Sequence, residues 1–574
     1  MMKLKVNLKA KPFNLTDEQI SWVESTIESM SLEEKLGQLF LPLVVESPDE
    51  ALAKYARIGL KPGGVLLRSG TAAQTREKIA EFQRRAEIPM LIAGDLDRGA
   101  YNMISDGTQY GHEMLLAASG DPRMAYRGAK ILGEECCAVG ANWNFGPVVD
   151  IDFNPFNPMT NVRSFGSDPD QVQEFALASC RGMREGGILP CAKHFPGDGV
   201  DGRDQHFLSS VNSLSVEEWD ASYGKVYQAL IDDGLETIMT VHIMQPAYTK
   251  KFSPDTRDED ILPASLSEEL NIRLLREQMG FNGLLITDAS SMAGFTDVLS
   301  RAAAVPTAIA HGADMFLFSR DLEEDFDSMK AGYEQGVLTE DRLQEALERI
   351  LGLKAKLRLP EKKAEGTLIP PESALEVFRR PESAAFAKEA ADKGITLVKD
   401  TQHLLPLTPE KTRRLFVIPV KVEPNYHNHD GGYEHRFVKD LENRGFEVHL
   451  YDASPEDMYS IGKSPIREFK KRYDAIIYFM NVASSSSDSA VRISWPGTRV
   501  TITMMIHDVP TMMVSVDNPY HLMDAPRIPT YVNAYNSSDL VVDTLVEKLV
   551  GESPFRGVSP MDPFVKKYFF NTDK

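Results

Sequence analysis

Cysteine is scarce in this chain: four residues in 574, namely Cys136, Cys137, Cys180 and Cys191. None forms a C-x-x-C pair; four are too sparse for a disulfide framework and lack zinc-site spacing, so buried free thiols are expected. Long apolar runs are missing as well. No stretch of about 18 apolar residues occurs, and the run near 501–516 is broken by His507, Asp508 and Pro510, so no helix is expected to span a membrane. The first twenty residues contain lysines but no apolar segment and no small-residue cleavage site. This predicts no secretory signal and a cytoplasmic location. Positive charge is in deficit: Lys+Arg number 63 against 84 Asp+Glu, a formal net charge of −21. Such a chain repels phosphate backbones and has no compensating basic stripe, which argues against a nucleic-acid partner. No solenoid period is present either.

What remains is an ordinary globular composition, 42% hydrophobic and 26% charged, in a chain long enough for more than one domain. After a helix predicted over about Asp17–Leu36 with Thr16 as its cap, eight short apolar runs alternate with helical stretches. They lie at 37–44, 64–67, 90–95, 144–150, 188–194, 237–242, 284–288 and 314–318. Strand–helix alternation implies parallel pairing, and eight such units over about 300 residues predict an α/β fold with a (β/α)8 TIM-like barrel. The barrel is expected over 1–357 and a Pro- and Lys-rich linker over 358–383. A smaller, open, mostly parallel α/β domain is expected over 384–574, with strands near 395–398, 415–420, 446–451, 475–480, 511–516 and 530–532. Ser484–Ser489 reads as a surface loop.

Several of the barrel runs end in a polar or ionisable residue: Asp95, Asp150, Lys193 with His194, His242 and Asp288. Barrel active sites form at the C-terminal ends of the strands, so these side chains are expected in one pocket. The segment Cys191–Phe207 is the densest in chemistry. Its Gly197-x-Gly199-x-x-Gly202 matches a dinucleotide-binding pattern, but that pattern requires a helix to open at once, and Arg-Asp-Gln-His-Phe follows instead. Asp204 and His206, two apart in an extended loop, can lie on the same side. The carboxylate then fixes the imidazole tautomer through one ring nitrogen and leaves the other for proton transfer. Asp288, ending an apolar strand and followed by small residues, is a carboxylate able to attack an electrophilic carbon. The group His427, His429, His435, Asp430 and Glu434 reads as a solvated loop rather than a metal site.

Lys193-His-Phe-Pro-Gly-x-Gly followed by Asp204-x-His206 resembles family 3 glycoside hydrolases, in particular their β-N-acetylglucosaminidase branch. Asn161-Val-Arg163-Ser-Phe-Gly, Met239-Thr-Val-His242 and Ile286-Thr-Asp288 agree with it in order and spacing. Thr396-Leu-Val-Lys399, Leu404-Leu-Pro-Leu407 and Asn533-Ala-Tyr535 resemble the second domain of many members. The resemblance implies Asp288 as nucleophile and His206 as general acid/base with Asp204 as its partner. It implies Asp95, Arg163, Lys193 and His194, with His242 as a further pocket residue, holding the terminal sugar. No cofactor and no metal are implied.

The expected activity is that of a retaining exo-β-N-acetylglucosaminidase (a β-N-acetylhexosaminidase) acting on β-linked N-acetylglucosamine oligosaccharides. Muropeptides in cell-wall recycling and chito-oligosaccharides are the candidate substrates. Alternatives on the same scaffold are a β-N-acetylglucosaminide phosphorylase and a β-glucosidase or β-xylosidase; a non-catalytic sugar-binding protein is disfavoured by the intact Asp204, His206 and Asp288. The sequence departs from the family pattern at Asp95-Leu-Asp97-Arg98-Gly99-Ala, where Asp-x-Glu-Gly-Gly is usual. It also departs at Met103, where an arginine is common, at Asp198 in place of a histidine, and at Gln205 in place of a serine.

Overall fold

A computed structural model describes residues 4–422, 431–483, 492–493, 495 and 504–565. The lead-in helix is two helices, Asp17–Ser29 and Leu32–Gly37. Each starts at a reciprocal capping box, Thr16 with Gln19 and Ser31 with Glu34, and the second box ends the first helix early.

The chain then lays down eleven short strands: β1 (Phe40–Leu41), β2 (Leu43–Val44), β3 (Gly64–Leu67), β4 (Leu91–Gly94), β5 (Trp143–Asn144), β6 (Leu189–Phe195), β7 (Ser210–Val211), β8 (Thr237–Thr240), β9 (Ile243–Met244), β10 (Leu284–Thr287) and β11 (Phe316–Leu317). Strands β2, β3, β4, β5, β6, β8 and β10 pair in that order, all in parallel. Ile286 of β10 bridges Met315, and β11 pairs with β1, which closes the ring. The closed parallel barrel is the one expected. Strand β5 is shorter than the predicted run at 144–150. Pro147 has no N–H to offer a ladder, and the chain beyond it follows β6 through a bridge from Val148 to Lys193. Strands β7 and β9 form a separate parallel pair that the hydrophobic pattern did not mark.

The molecule divides into two compact units. One comprises residues 1–109, 125–151 and 169–383, and the other 110–124, 152–168 and 384–574. The stretch at 358–383, read from composition as a linker, carries a helix at Leu359–Ala364 and a 3₁₀ segment at Glu372–Arg379, and falls within the first unit.

The second unit is built on β12 (Thr396–Asp400), β13 (Arg414–Lys421), β14 (Glu447–Leu450), β15 (Ala475–Asn481), β16 (Thr511–Ser515) and β17 (Thr530–Asn533). Their order is β12-β17-β16-β15-β13-β14, with β12 antiparallel and the others parallel. Successive residues serve opposite faces: Leu415 and Val417 enter one buried cluster, Phe416 and Ile418 the other. Met114, Leu115 and Ala118, with Val162, lie in the first of these clusters beside Ile395, Phe437 and Tyr535, which is why 110–124 and 152–168 group with this unit. A buried network fixes the second of those segments. The Tyr520 hydroxyl donates to Asp152 Oδ2 at 2.5 Å and Thr160 Oγ1 donates to Asp152 Oδ1 at 2.9 Å.

All four cysteines are free; Cys136, Cys180 and Cys191 are buried and Cys137 is partly so. Burial pushes the Cys137 thiol up to about 11 and the Cys180 thiol up to about 12. Among the described residues no helix is long and apolar enough to cross a membrane.

Candidate active site

Strand β6 is buried along its whole length and delivers Lys193 and His194 at its C-terminal end. The Lys193–His194 and Phe195–Pro196 peptides are both cis. Lys193 is 2% exposed, and its ammonium lies 2.6 Å from Asp95 Oδ1 and 3.1 Å from Asp97 Oδ1, just beyond β4. Asp97 stands two residues after Asp95, in the segment that departs from the family pattern, and it makes the lysine a two-carboxylate site. His194 donates from Nδ1 to Asp150 Oδ2 at 2.5 Å, which sets its tautomer and turns Nε2 to the other side.

The loop after β6 carries the second carboxylate–imidazole pair. His206 donates from Nδ1 to Asp204 Oδ1 at 2.6 Å and from its backbone N–H to the same oxygen at 2.8 Å. Asp204 is buried, while the His206 side chain is 26% exposed. The glycines of this loop have local reasons. Gly197 has φ +120°, and a Cβ there would come 2.2 Å from the Tyr223 ring; Gly199 has φ +103°. The next helix starts only at Val216, capped by Ser215, so no helix opens directly after this loop's glycines.

Asp288 directly follows β10, is 8% exposed, and accepts the Ala289 N–H on Oδ1 at 2.6 Å. Burial drives its carboxyl upward, but the imidazoles of His242, His194 and His206 and the Ala289 N–H outweigh that effect, holding it below the usual carboxylate range. His242 is itself held down at about 4 by burial, against the pull of Asp288. It is therefore neutral near pH 7. His242 is 1% exposed. Its Nε2 donates to Ala289 O at 3.1 Å and its Nδ1 accepts from Ser265 Oγ at 2.8 Å. Both ring nitrogens of His242, expected as a pocket residue, thus engage protein groups.

The turn after Asp288 is held from a third side. Arg301 donates to Ser290 O at 2.5 Å and to Ser290 Oγ at 2.8 Å, and its other edge grips Asp325 at 2.7 and 2.5 Å. In the second unit, Arg163 lies in the segment 152–168 and donates from Nη1 to Met159 O at 3.3 Å.

Among the described residues no three His, Cys, Asp or Glu side chains gather as metal ligands. Of the histidine-rich group, His427, His429 and Asp430 lie outside the described residues; Glu434 accepts from Lys421 Nζ at 2.7 Å, with His435 at 3.8 Å.

A closed parallel barrel whose strand ends gather a buried carboxylate, two aspartate-held imidazoles and a buried lysine defines a (β/α)8-barrel enzyme. The chain belongs to glycoside hydrolase family 3: the family described as "Glycosyl hydrolase family 3 N terminal domain" matches residues 31–353. A Cellulomonas fimi protein named beta-N-acetylglucosaminidase/beta-glucosidase is 42% identical over 97% of this chain and 98% of its own. A solved structure described as the beta-glucoside phosphorylase BglX bound to 2FGlc is also 42% identical, with a TM-score of 0.91 over 97% of this chain and 99% of that one. A family 3 beta-N-acetylglucosaminidase from Paenibacillus sp. str. FPU-7 is 25% identical with a TM-score of 0.76, over 94% of this chain and all of that one.

Proposed function

We propose that the enzyme removes terminal β-linked N-acetylglucosamine from oligosaccharides by double displacement with net retention. The observation that carries this reading is the Asp204–His206 pair, 2.6 Å apart, on a loop whose imidazole is the more open of the two partners. Asp204 stabilises the protonated ring, whose Nε2–H passes to the glycosidic oxygen as that C–O bond breaks. Asp288 attacks the anomeric carbon and forms a glycosyl ester. In the second step an acceptor oxygen attacks the same carbon, the ester bond breaks, and Nε2 takes up the acceptor's proton. Asp95, Lys193 and His194 bind the hydroxyls of the terminal sugar. No metal or organic cofactor enters these steps.

A second reading, phosphorolysis, is favoured by a specific observation. The proton-transferring group is an imidazole rather than a carboxylate, which limits repulsion toward an anionic acceptor. The names of the 42% identical relatives, which pair N-acetylglucosaminide with glucoside and include a phosphorylase, support testing both donors and both acceptors.

The deciding experiment is nitrophenol release from the β-N-acetylglucosaminide and the β-glucoside side by side, with and without inorganic phosphate. Preference for the acetamido sugar supports the substrate reading, and a sugar phosphate product moves the acceptor from water to phosphate. Activity on the glucoside alone sinks the substrate assignment. Asp288→Ala is expected to remove at least about 10⁴ of turnover while leaving sugar binding; unchanged turnover sinks the nucleophile assignment.

A further inference from the structure

Gln205 stands between the two members of the Asp204–His206 pair, yet it is 1% exposed and turned away from solvent. Its side-chain Oε1 accepts the backbone N–H of His242 at 2.9 Å. Its backbone carbonyl accepts the N–H of Gly294 at 3.1 Å, and the His206 carbonyl accepts the N–H of Ala293 at 3.0 Å. Three hydrogen bonds therefore fasten the loop after β6 to the segments after β8 and β10. Those segments are themselves joined to the turn that carries Asp288, because His242 Nε2 donates to Ala289 O at 3.1 Å and Ser265 orients that ring at 2.8 Å. The close approach depends on Gly294: a Cβ there would stand 2.8 Å from both His242 Cβ and His242 O, and 3.3 Å from Gln205 O.

We propose that Gln205 is a positioning residue, a latch that holds the His206 loop docked against the Asp288 turn before any sugar arrives. This rests on the reading of His206 as the acid/base. The length of the side chain is decisive. Oε1 lies three atoms beyond Cβ, whereas a serine hydroxyl lies one atom beyond it and cannot span to the His242 amide. A serine here leaves that buried N–H without its acceptor, and the docked loop loses its side-chain tether to the His242 amide. The loop would then populate open states, and the rate of any step needing His206 falls in proportion to the fraction of molecules still docked. With glutamine the acid/base is preorganised at no cost to substrate binding energy.

The test compares Gln205→Ser, Gln205→Ala and His206→Ala with wild type on nitrophenyl and dinitrophenyl glycosides of the same sugar, together with hydrogen exchange of the segment 201–209. Dinitrophenolate leaves without a proton, so its release does not report on the acid. Expected for both Gln205 variants are a loss on the order of tenfold in kcat/KM for the poorer leaving group, little loss for dinitrophenyl release, and faster exchange at 201–209. Equal losses on both substrates would mean general damage to the fold and would overturn the latch. So would unchanged exchange, or an unchanged ratio between the two substrates. If His206→Ala leaves the poor leaving group unaffected, the acid/base reading itself fails. The exchange measurement on the Gln205 variants then judges docking separately, and slow exchange there overturns the latch as well.

Discussion

Asp150 grips His194 twice, accepting its ring Nδ1–H at 2.5 Å and its backbone N–H at 3.2 Å, and accepts the Asp198 N–H at 2.7 Å with the same oxygen that takes the backbone. One buried carboxylate thus sets both the tautomer of the ring and the path of the chain that carries it. Asp150→Asn puts an amide where a full acceptor is required. The expected result is a rise of about tenfold in KM for the terminal sugar with a smaller change in kcat, since His194 would bind rather than react. Steady-state kinetics check it, and a fall in kcat alone would contradict it.

Lys354 is fully buried and donates to Gln38 Oε1 at 2.7 Å. Burial lowers its ammonium from 10.5 to about 7. Between those values the unfolded chain binds more protons than the folded one, so this group makes stability climb as pH rises from about 7 toward 10.5, and its penalty is fully present below 7. Lys354→Met is expected to raise Tm at pH 6, with the gap over wild type narrowing by pH 9. Thermal melts at the two pH values check the sign.

Asp314 is 0% exposed and sits among three arginines. Arg276 Nη2 lies at 2.7 Å and Arg349 Nη1 at 3.3 Å, and Arg342 donates to it as well. Burial raises its carboxyl, but the arginines hold it below the ordinary range. Removing it leaves buried cations facing one another, so Asp314→Ala is expected to cost about 3–5 kcal/mol in a urea titration, far more than loss of the exposed Lys9–Asp17 pair.

Gly294→Ala places a methyl against the backbone of His242. The neighbour is main chain and cannot swing aside, so the expected cost is about 1–3 kcal/mol together with a loss of turnover. Calorimetry and kinetics on one preparation check both. A fully stable, fully active variant would mean that the docked loop tolerates displacement.

The barrel and much of the candidate site were legible because two simple rules suffice. Apolar runs alternate with helices, and the side chains that end those runs share a mouth. Asp95, Lys193, His194 and Asp288 follow directly, and so does the contact between Asp204 and His206, which two-residue spacing already allows. Gln205 was visible only as an oddity, since its partner is an amide 37 residues away. His242 was read as a pocket residue from its strand-end position, but a neighbouring serine and the carbonyl of Ala289 engage its ring. Neither partner is encoded by spacing. Asp97 was the most recoverable omission, since it lies on the same side of the chain as Asp95. The grouping of 110–124 and 152–168 with the second unit left no local mark, because Leu115 and Val162 look like any other apolar residues until the core they join is known.

That grouping constrains how such a protein is inherited. The chain passes from one unit to the other at 109/110, 124/125, 151/152, 168/169 and 383/384. A recombination joint placed after residue 383 would deliver a barrel with two orphaned inserts and a partner sheet stripped of Met114, Leu115 and Val162 from its core. The two units must therefore diverge together as one heritable block. Change in the barrel insert carrying Arg163 is tied, through Asp152 and Tyr520, to residues almost 370 positions downstream.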